Sequence, residues 1–376
     1  MSPDTADGRG SRGARGRERG PRGGERGGRP RQSDIARLAG VSQATVSLVL
    51  GKNAIQESLS PETRRKVLSV ARELGYAADP AARRLVARQN RLLGVHTFTA
   101  AFPVDFRDSY YPFLVGVEEE AAEQGYDLLL FTGTGTGHGT GTGTGTNAYG
   151  GAGGLDRLRM ADGCVLLGRH APAAELARLL DAGFPLVYVG RNDTLGDRLP
   201  YVGADYVRAS ADVVGELARL GHRRLLYVRE TDDAAASLDR EQGFRQGLSE
   251  TGVSGEVVRT DGGDLDAERL CGWLEGGTTA LVVEATDTQA ALGALRACAA
   301  SAGLRCPGDF SLATLGEEVH RPPGEPEPAG FAVPRREMGR RAARMLVGLL
   351  AGGPGAGRQE LLPCPPVTGS TAGPPG

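Results

Sequence analysis

The chain has 376 residues, 40% hydrophobic and 24% charged, an ordinary globular composition and length enough for two or three domains. No apolar run reaches the ~20 residues of a membrane helix, and the N-terminus lacks a signal-peptide apolar core, so neither a membrane-spanning nor a secreted protein is expected. The net charge of −2 is unevenly spread: residues 1–92 carry 19 Lys+Arg against 9 Asp+Glu, a net of +10, which leaves −12 on the remainder and points to a polyanionic partner for the basic head.

Residues 1–31 set nine arginines among glycines, cannot bury a core, and are expected to be a disordered, solvated tail. Residues 32–78 are patterned as three short helices. Ile35, Leu38 and Ala39 share one face of the first, with Ser33 available as its cap. Gly40-Val41-Ser42 breaks it, and Val46, Val49 and Leu50 repeat at helical spacing on the second. Ser60-Pro61-Glu62-Thr63 opens the third, with Ser60 as N-cap and Pro61 at the first helical position. Its apolar face is Val67, Leu68, Ala71 and Leu74. Three short helices around one tight turn fit a helix-turn-helix unit.

Residues 79–92 are a basic linker in which Pro80 is placed to start a helix. From there the texture changes. LLGVHTF, DLLLF, CVLL, PLVYV, RLLYV, ALVVE and SLATL read as strands, with helices near 111–125, 172–183, 206–220, 240–251 and 287–302. That alternation predicts a parallel α/β body in two similar lobes over residues 93–376. The Gly/Thr run 132–154 reads as a flexible loop, since it lacks the lysine of a phosphate-binding loop. Residues 354–376 read as an irregular tail.

No catalytic constellation emerges. The chain has no G-x-S-x-G, H-E-x-x-H or Walker motif, its five histidines are isolated, and Glu118–Glu120 read as a solvated helix face. Its five cysteines are scattered, which argues against a disulfide framework or structural zinc and fits a reducing cytoplasm. No enzyme, metal or cofactor is expected. The second helix carries more information. With Val46, Val49 and Leu50 inward, its opposite face holds Ala44, Ser47 and Leu48, with Gln43 at the N-terminal edge. In a major groove Gln43 suits adenine, Ser47 several bases, and Ala44 and Leu48 thymine methyls. Ser42 and Thr45, at the helix start, suit phosphate oxygens.

The segments SDIARLAGVSQATVSLVL, SPETRRKVLSVARELGY and PAARRL resemble the head of LacI/GalR-type bacterial transcription regulators. YYPFLVGVEEEAAEQGYDLLLF, FPLVYVGR, LGHRRLLYV, DREQGF, ALGALRACAASAGLRCPGDFSL and EMGRRAARMLV continue the likeness in the family's order, over roughly residues 33–350. The resemblance implies a homodimeric repressor that binds double-stranded operator DNA, and a body like periplasmic sugar-binding proteins with a small-molecule effector, most commonly a sugar, between its lobes. It implies that Ser42, Gln43, Ala44, Ser47 and Leu48 read the major groove, and that Ser60, Thr63 and Tyr76 contact the DNA backbone. Ala82 and Leu85 fall in a hinge helix that enters the minor groove. Arg240, Asp287 and Glu317 match effector positions, and Tyr110, Tyr111 and Phe113 offer an aromatic wall. The sequence departs from the family at Leu48, where arginine is frequent, and at Gly316, which stands at an aspartate position.

Overall fold

A computed structural model describes residues 30–50, 59–76, 90–98, 109–131, 155–285, 289–318, 321, 323–353 and 358–376. The arginine-rich tail up to residue 29, the hinge segment with Ala82 and Leu85, the Gly/Thr run and Asp287 lie outside the described residues. The chain divides into two units, Met1–Arg88 and Gln89–Gly376.

In the first unit α1 (Gln32–Ala39), α2 (Gln43–Leu50) and α3 (Pro61–Glu73) enclose a small core. Ile35, Ala36, Ala39, Val46, Val49, Val67 and Ala71 are buried in it. Leu38, expected inward, is 48% exposed. The reason is angular: the buried arc runs from Ile35 through Ala39 to Ala36, and Leu38 stands about 110° from its centre. Ser33 lies inside α1 and does not cap it; the Arg31 N–H donates instead to Asp34 Oδ2 at 2.9 Å. Ser60 caps α3 as expected, accepting the Thr63 N–H at 3.2 Å.

The second unit begins with β1 (Leu92–Thr97), α4 (Tyr111–Glu123), β2 (Asp127–Phe131), β3 (Gly163–Leu167), α5 (Ala173–Asp181), β4 (Leu186–Val189) and β5 (Tyr201–Ala204). The chain then builds a second lobe from α6 (Tyr206–Leu220), β6 (Arg224–Arg229), α7 (Ala235–Thr251), β7 (Ser254–Arg259), α8 (Ala267–Glu275), β8 (Ala280–Glu284), α9 (Ala290–Ser301), β9 (Ser311–Leu315) and β10 (Ala329–Phe331). It returns to the first lobe for α10 (Arg335–Leu350) and β11 (Gln359–Leu362), and ends on the second with β12 (Pro366–Val367). The sheets run β11-β5-β4-β3-β1-β2 and β12-β10-β9-β8-β6-β7. The first is parallel throughout; in the second the β10–β12 pair alone is antiparallel. The apolar runs of β3 and β8 are buried along their whole length, as strands covered on both faces must be. In each sheet the order reverses once, between β1 and β3 and between β6 and β8, and a crevice opens beyond the strand ends at such a point.

Two further expectations fail, both in the body. Of the expected irregular tail 354–376, the described residues 358–376 are built into the sheets: β11 pairs with β5 and β12 with β10. Beyond them Thr371 is buried, donates to Leu312 O at 2.6 Å and accepts the Ala329 N–H at 2.9 Å. His222, in the turn before β6, lies 2.9 Å from Gly373 O and fastens the same strap. These strands have only four and two residues, too few for periodicity to mark them. Glu118–Glu120 are not a uniformly solvated face either. Glu120 is fully buried, and Arg344 of α10 donates to it at 2.6 and 3.0 Å. That guanidinium holds the Glu120 carboxyl below the usual carboxylate range. The two helices approach so closely that a Cβ on Gly116 would lie 1.9 Å from Arg336 O, so only glycine fits there.

Thr371→Val conserves shape but leaves the Leu312 carbonyl and the Ala329 amide without that partner. Urea denaturation should show the body destabilised by about 2 kcal/mol; unchanged stability would mean the strap adds nothing to the fold.

Candidate functional site

The first candidate surface is α2. Gln43, Ala44 and Ser47 are exposed and Leu48 half-buried, on the face opposite Val46 and Val49. The stripe contains no charged residue. Positive charge sits elsewhere in the unit, on exposed Arg37, Arg64, Arg65, Lys66 and Arg72. Ser42 caps α2, accepting the Thr45 N–H at 3.1 Å, and the two hydroxyls are 2.9 Å apart. The start of α3 repeats the device, with Ser60 and Thr63 hydroxyls 2.8 Å apart. Both helix starts therefore present backbone N–H groups beside hydroxyls, a surface suited to phosphate. Tyr76 is half-buried against the helical core.

The second candidate is the crevice of the body. Arg169, two residues beyond β3, donates through Nε to Asp232 Oδ2 at 2.7 Å and through Nη2 to Ser237 Oγ at 3.0 Å. His170 Nε2 lies 2.9 Å from Asp232 Oδ1. Burial opposes ionisation of Asp232, but the Arg169 guanidinium outweighs it and holds the carboxyl below its ordinary range. Arg191, two residues beyond β4, forks onto Asp239 with Nε–Oδ2 at 2.8 Å and Nη2–Oδ1 at 2.6 Å. Both bridges run from the first lobe to the segment that opens α7 in the second.

The first turns of α7 carry Ser237, Asp239 and Arg240 into this region, all buried. Arg240 is 4% exposed, so it is not a surface arginine at a helix start. Its Cζ lies 3.9 Å from the Tyr206 ring centroid, and its Nη1 donates to Glu284 Oε1 at 3.4 Å. Ser237 Oγ donates to the same Oε1 at 2.5 Å.

Glu317 pairs with Arg335, and both line a cavity of about 290 Å³ with Pro112, Val333, Pro334 and Arg336. Of the expected aromatic wall, Tyr110 and Phe113 pack against the hydrophobic core with rings 6.0 Å apart, and Tyr111 is half-buried. Pro112 is the residue of that segment on the cavity wall. Of the crevice residues not expected from the sequence, Arg169, Arg191 and Asp239 carry little signal in it. Glu284 is the exception, since a charge closing the apolar run ALVVE must find a partner or face a ligand.

Residues 33–79 match the bacterial regulatory proteins of the lacI family, and residues 214–372 match a periplasmic binding protein-like domain. The HTH-type transcriptional regulator CelR of Thermobifida fusca is 30% identical over 338 residues, covering 86% of this chain and 93% of that protein. Catabolite control protein A of Streptococcus mutans is 27% identical over 330 residues, covering 84% and 90%. Among solved structures, the transcriptional regulator CelR–cellobiose complex superposes with a TM-score of 0.60 at 25% identity, covering 92% of this chain and 100% of that one. The Lac repressor dimer bound to operator and the anti-inducer ONPF shares the fold, with a TM-score of 0.67 at 22% identity and coverage of 90% and 97%.

Asp239→Ala removes both hydrogen bonds of the Arg191 fork. The body should lose about 2 kcal/mol in denaturant titrations, and Arg191→Ala on top should cost little more, because the only other ion pair of Arg191 among the described residues is with the exposed Asp193. Additive losses would show that the bridge is not a coupled pair.

Proposed function

We propose the following for a chain that belongs to the lacI family of bacterial regulatory proteins: it is a sequence-specific DNA-binding transcriptional regulator, a repressor, whose operator affinity a small molecule between the lobes modulates. The observation that carries the DNA-binding part is the uncharged, outward stripe of Gln43, Ala44, Ser47 and Leu48 on the second helix of a helix-turn-helix core. Neutral side chains meet base edges there, while the flanking arginines and the capped helix starts meet phosphates.

In this reading the protein acts in the cytoplasm as a homodimer on a near-palindromic operator. Its residues 80–87 form the hinge helix, Ala82 and Leu85 enter the minor groove, and the Leu85 side chains wedge the central base step. A ligand shifts operator affinity only through its different affinity for two arrangements of the body. Arg240, Asp287 and Glu317 belong to that effector site, and the CelR–cellobiose complex supports a sugar or related metabolite as its ligand class. The role is regulatory, with no catalytic step.

A second reading is favoured by one observation. Arg240 already meets Glu284 of its own chain, as it would in a regulator that works without a ligand. Selection of bound sequences from random DNA, repeated with a panel of sugars, separates the two readings. The effector reading predicts one palindromic motif whose occupancy a panel member changes, and a motif indifferent to the whole panel contradicts it.

Two variants test the DNA interface. Gln43→Ala should cost about 1–3 kcal/mol on the selected operator and relax preference at one position of each half-site. Leu85→Ala should lower operator affinity far more than affinity for random DNA at the same salt, because non-specific binding rests on phosphate charge. Equal losses on both DNAs, read by fluorescence anisotropy, would contradict the hinge assignment.

A further inference from the structure

We infer that Glu284 is a specificity-determining residue of the effector site, admitting neutral hydroxylated molecules and rejecting anionic ones. The inference rests on the effector reading above and names the ligand class of that site.

Glu284 closes β8, at the point where the second sheet reverses its strand order. Ligands of doubly wound sheets sit beyond such strand ends. The carboxyl is buried, and it lies under the bridge between the lobes: Ser237 Oγ donates to Oε1 and in turn accepts from Arg169 of the first lobe. On its other side stands Arg240, held against the Tyr206 ring.

Three buried polar atoms of this cluster, Glu284 Oε2, Arg240 Nε and Tyr227 Oη, have no hydrogen-bond partner among the described residues. Buried polar atoms are rarely left so, and several in one place mark a site that takes a polar partner. The set contains an acceptor-only oxygen, a donor-only nitrogen and a phenol. A hydroxyl both donates and accepts, so it satisfies Glu284 Oε2 and Arg240 Nε together. A carboxylate or phosphate accepts from Arg240 but faces Glu284 with like charge in a site screened little by water.

The end of the neighbouring strand β9 offers Arg240 no carboxyl at position 316. Register pairs Glu284 with Leu315, the residue before Gly316. A Cβ on Gly316 would lie 3.5 Å from Arg240 Nη2, so a side chain there would face the guanidinium. But Gly316 has φ +126°, a conformation other L-residues rarely adopt. With no side chain available at the end of β9, the neighbouring strand supplies the acid.

The test is isothermal titration calorimetry of the full-length protein, wild type and Glu284→Gln, against glucose and cellobiose, and against the anions derived from them, gluconate, glucose 6-phosphate and cellobionate. The amide keeps an acceptor for Ser237 and removes the charge; thermal melting of each variant checks that it folds. Wild type should bind its best neutral ligand at least thirtyfold tighter than the acid derived from it, and Glu284→Gln should cut that ratio below threefold. Glu284→Asp, which keeps the charge, should keep the discrimination. Wild type binding the acid as well as its neutral parent, or Glu284→Gln retaining the full ratio, overturns the inference while leaving an effector site in place. No binding of any probe to either protein contradicts the effector reading itself, and the inference falls with it.

Discussion

A guanidinium group withdrawn from bulk water needs a partner, and that requirement organises the crevice of this body. Arg169, Arg191 and Arg240 each meet a carboxylate carried by the second lobe: Asp232, Asp239 and Glu284. Two of the pairs cross between lobes, so separating the lobes breaks charge-assisted hydrogen bonds, including the fork of Arg191. The third is internal to the second lobe and leaves Arg240 neutralised before any ligand arrives. The lobes and the proposed effector site therefore share one set of charges. Ser237 joins them directly, accepting from Arg169 and donating to Glu284.

Much of this was legible from the sequence because the signals were local. The strands buried on both faces are continuous apolar runs, and the core of the head follows helical spacing, with Val46, Val49, Val67 and Ala71 buried as expected. What escaped depends on contacts distant in the chain. Leu38 faces outward because Ala36 takes its place in a core set by three helices. Glu120 looks like a surface acid until α10, more than 200 residues later, brings Arg344 against it. β11 and β12 are too short to show periodicity and exist because two sheets leave edges to be paired. At the crevice Arg240 was visible through its motif. Its pairing with Glu284 was not: the charge closing an apolar strand is a signal, but nothing in the sequence joins it to an arginine 44 residues away.

The head divides its chemistry in a way the composition of α2 makes plain. Its helix QATVSLVL has no charge, so in the proposed reading base recognition there rests on an amide, a hydroxyl and methyl contacts. The exposed basic residues lie on α3 and beside it, and in the same reading they supply the electrostatic attraction that acts on any sequence of DNA. That reading assigns specificity and affinity to different residues around a core of seven buried side chains. A unit that small gains much of its orienting precision from what it is tied to, which in the proposed reading is a hinge helix ordered on DNA and a body that changes its lobe arrangement.

The central claim is that operator binding and the charged crevice are energetically linked, and linkage is reciprocal. Hydrogen–deuterium exchange of the full-length protein measures it without knowledge of the effector. Adding the DNA sequence the protein itself selects should change exchange in residues 168–170 and 232–240, the two sides of the bridge, while random DNA at the same salt and saturation should not. Unchanged exchange in both segments on the selected operator would contradict the account.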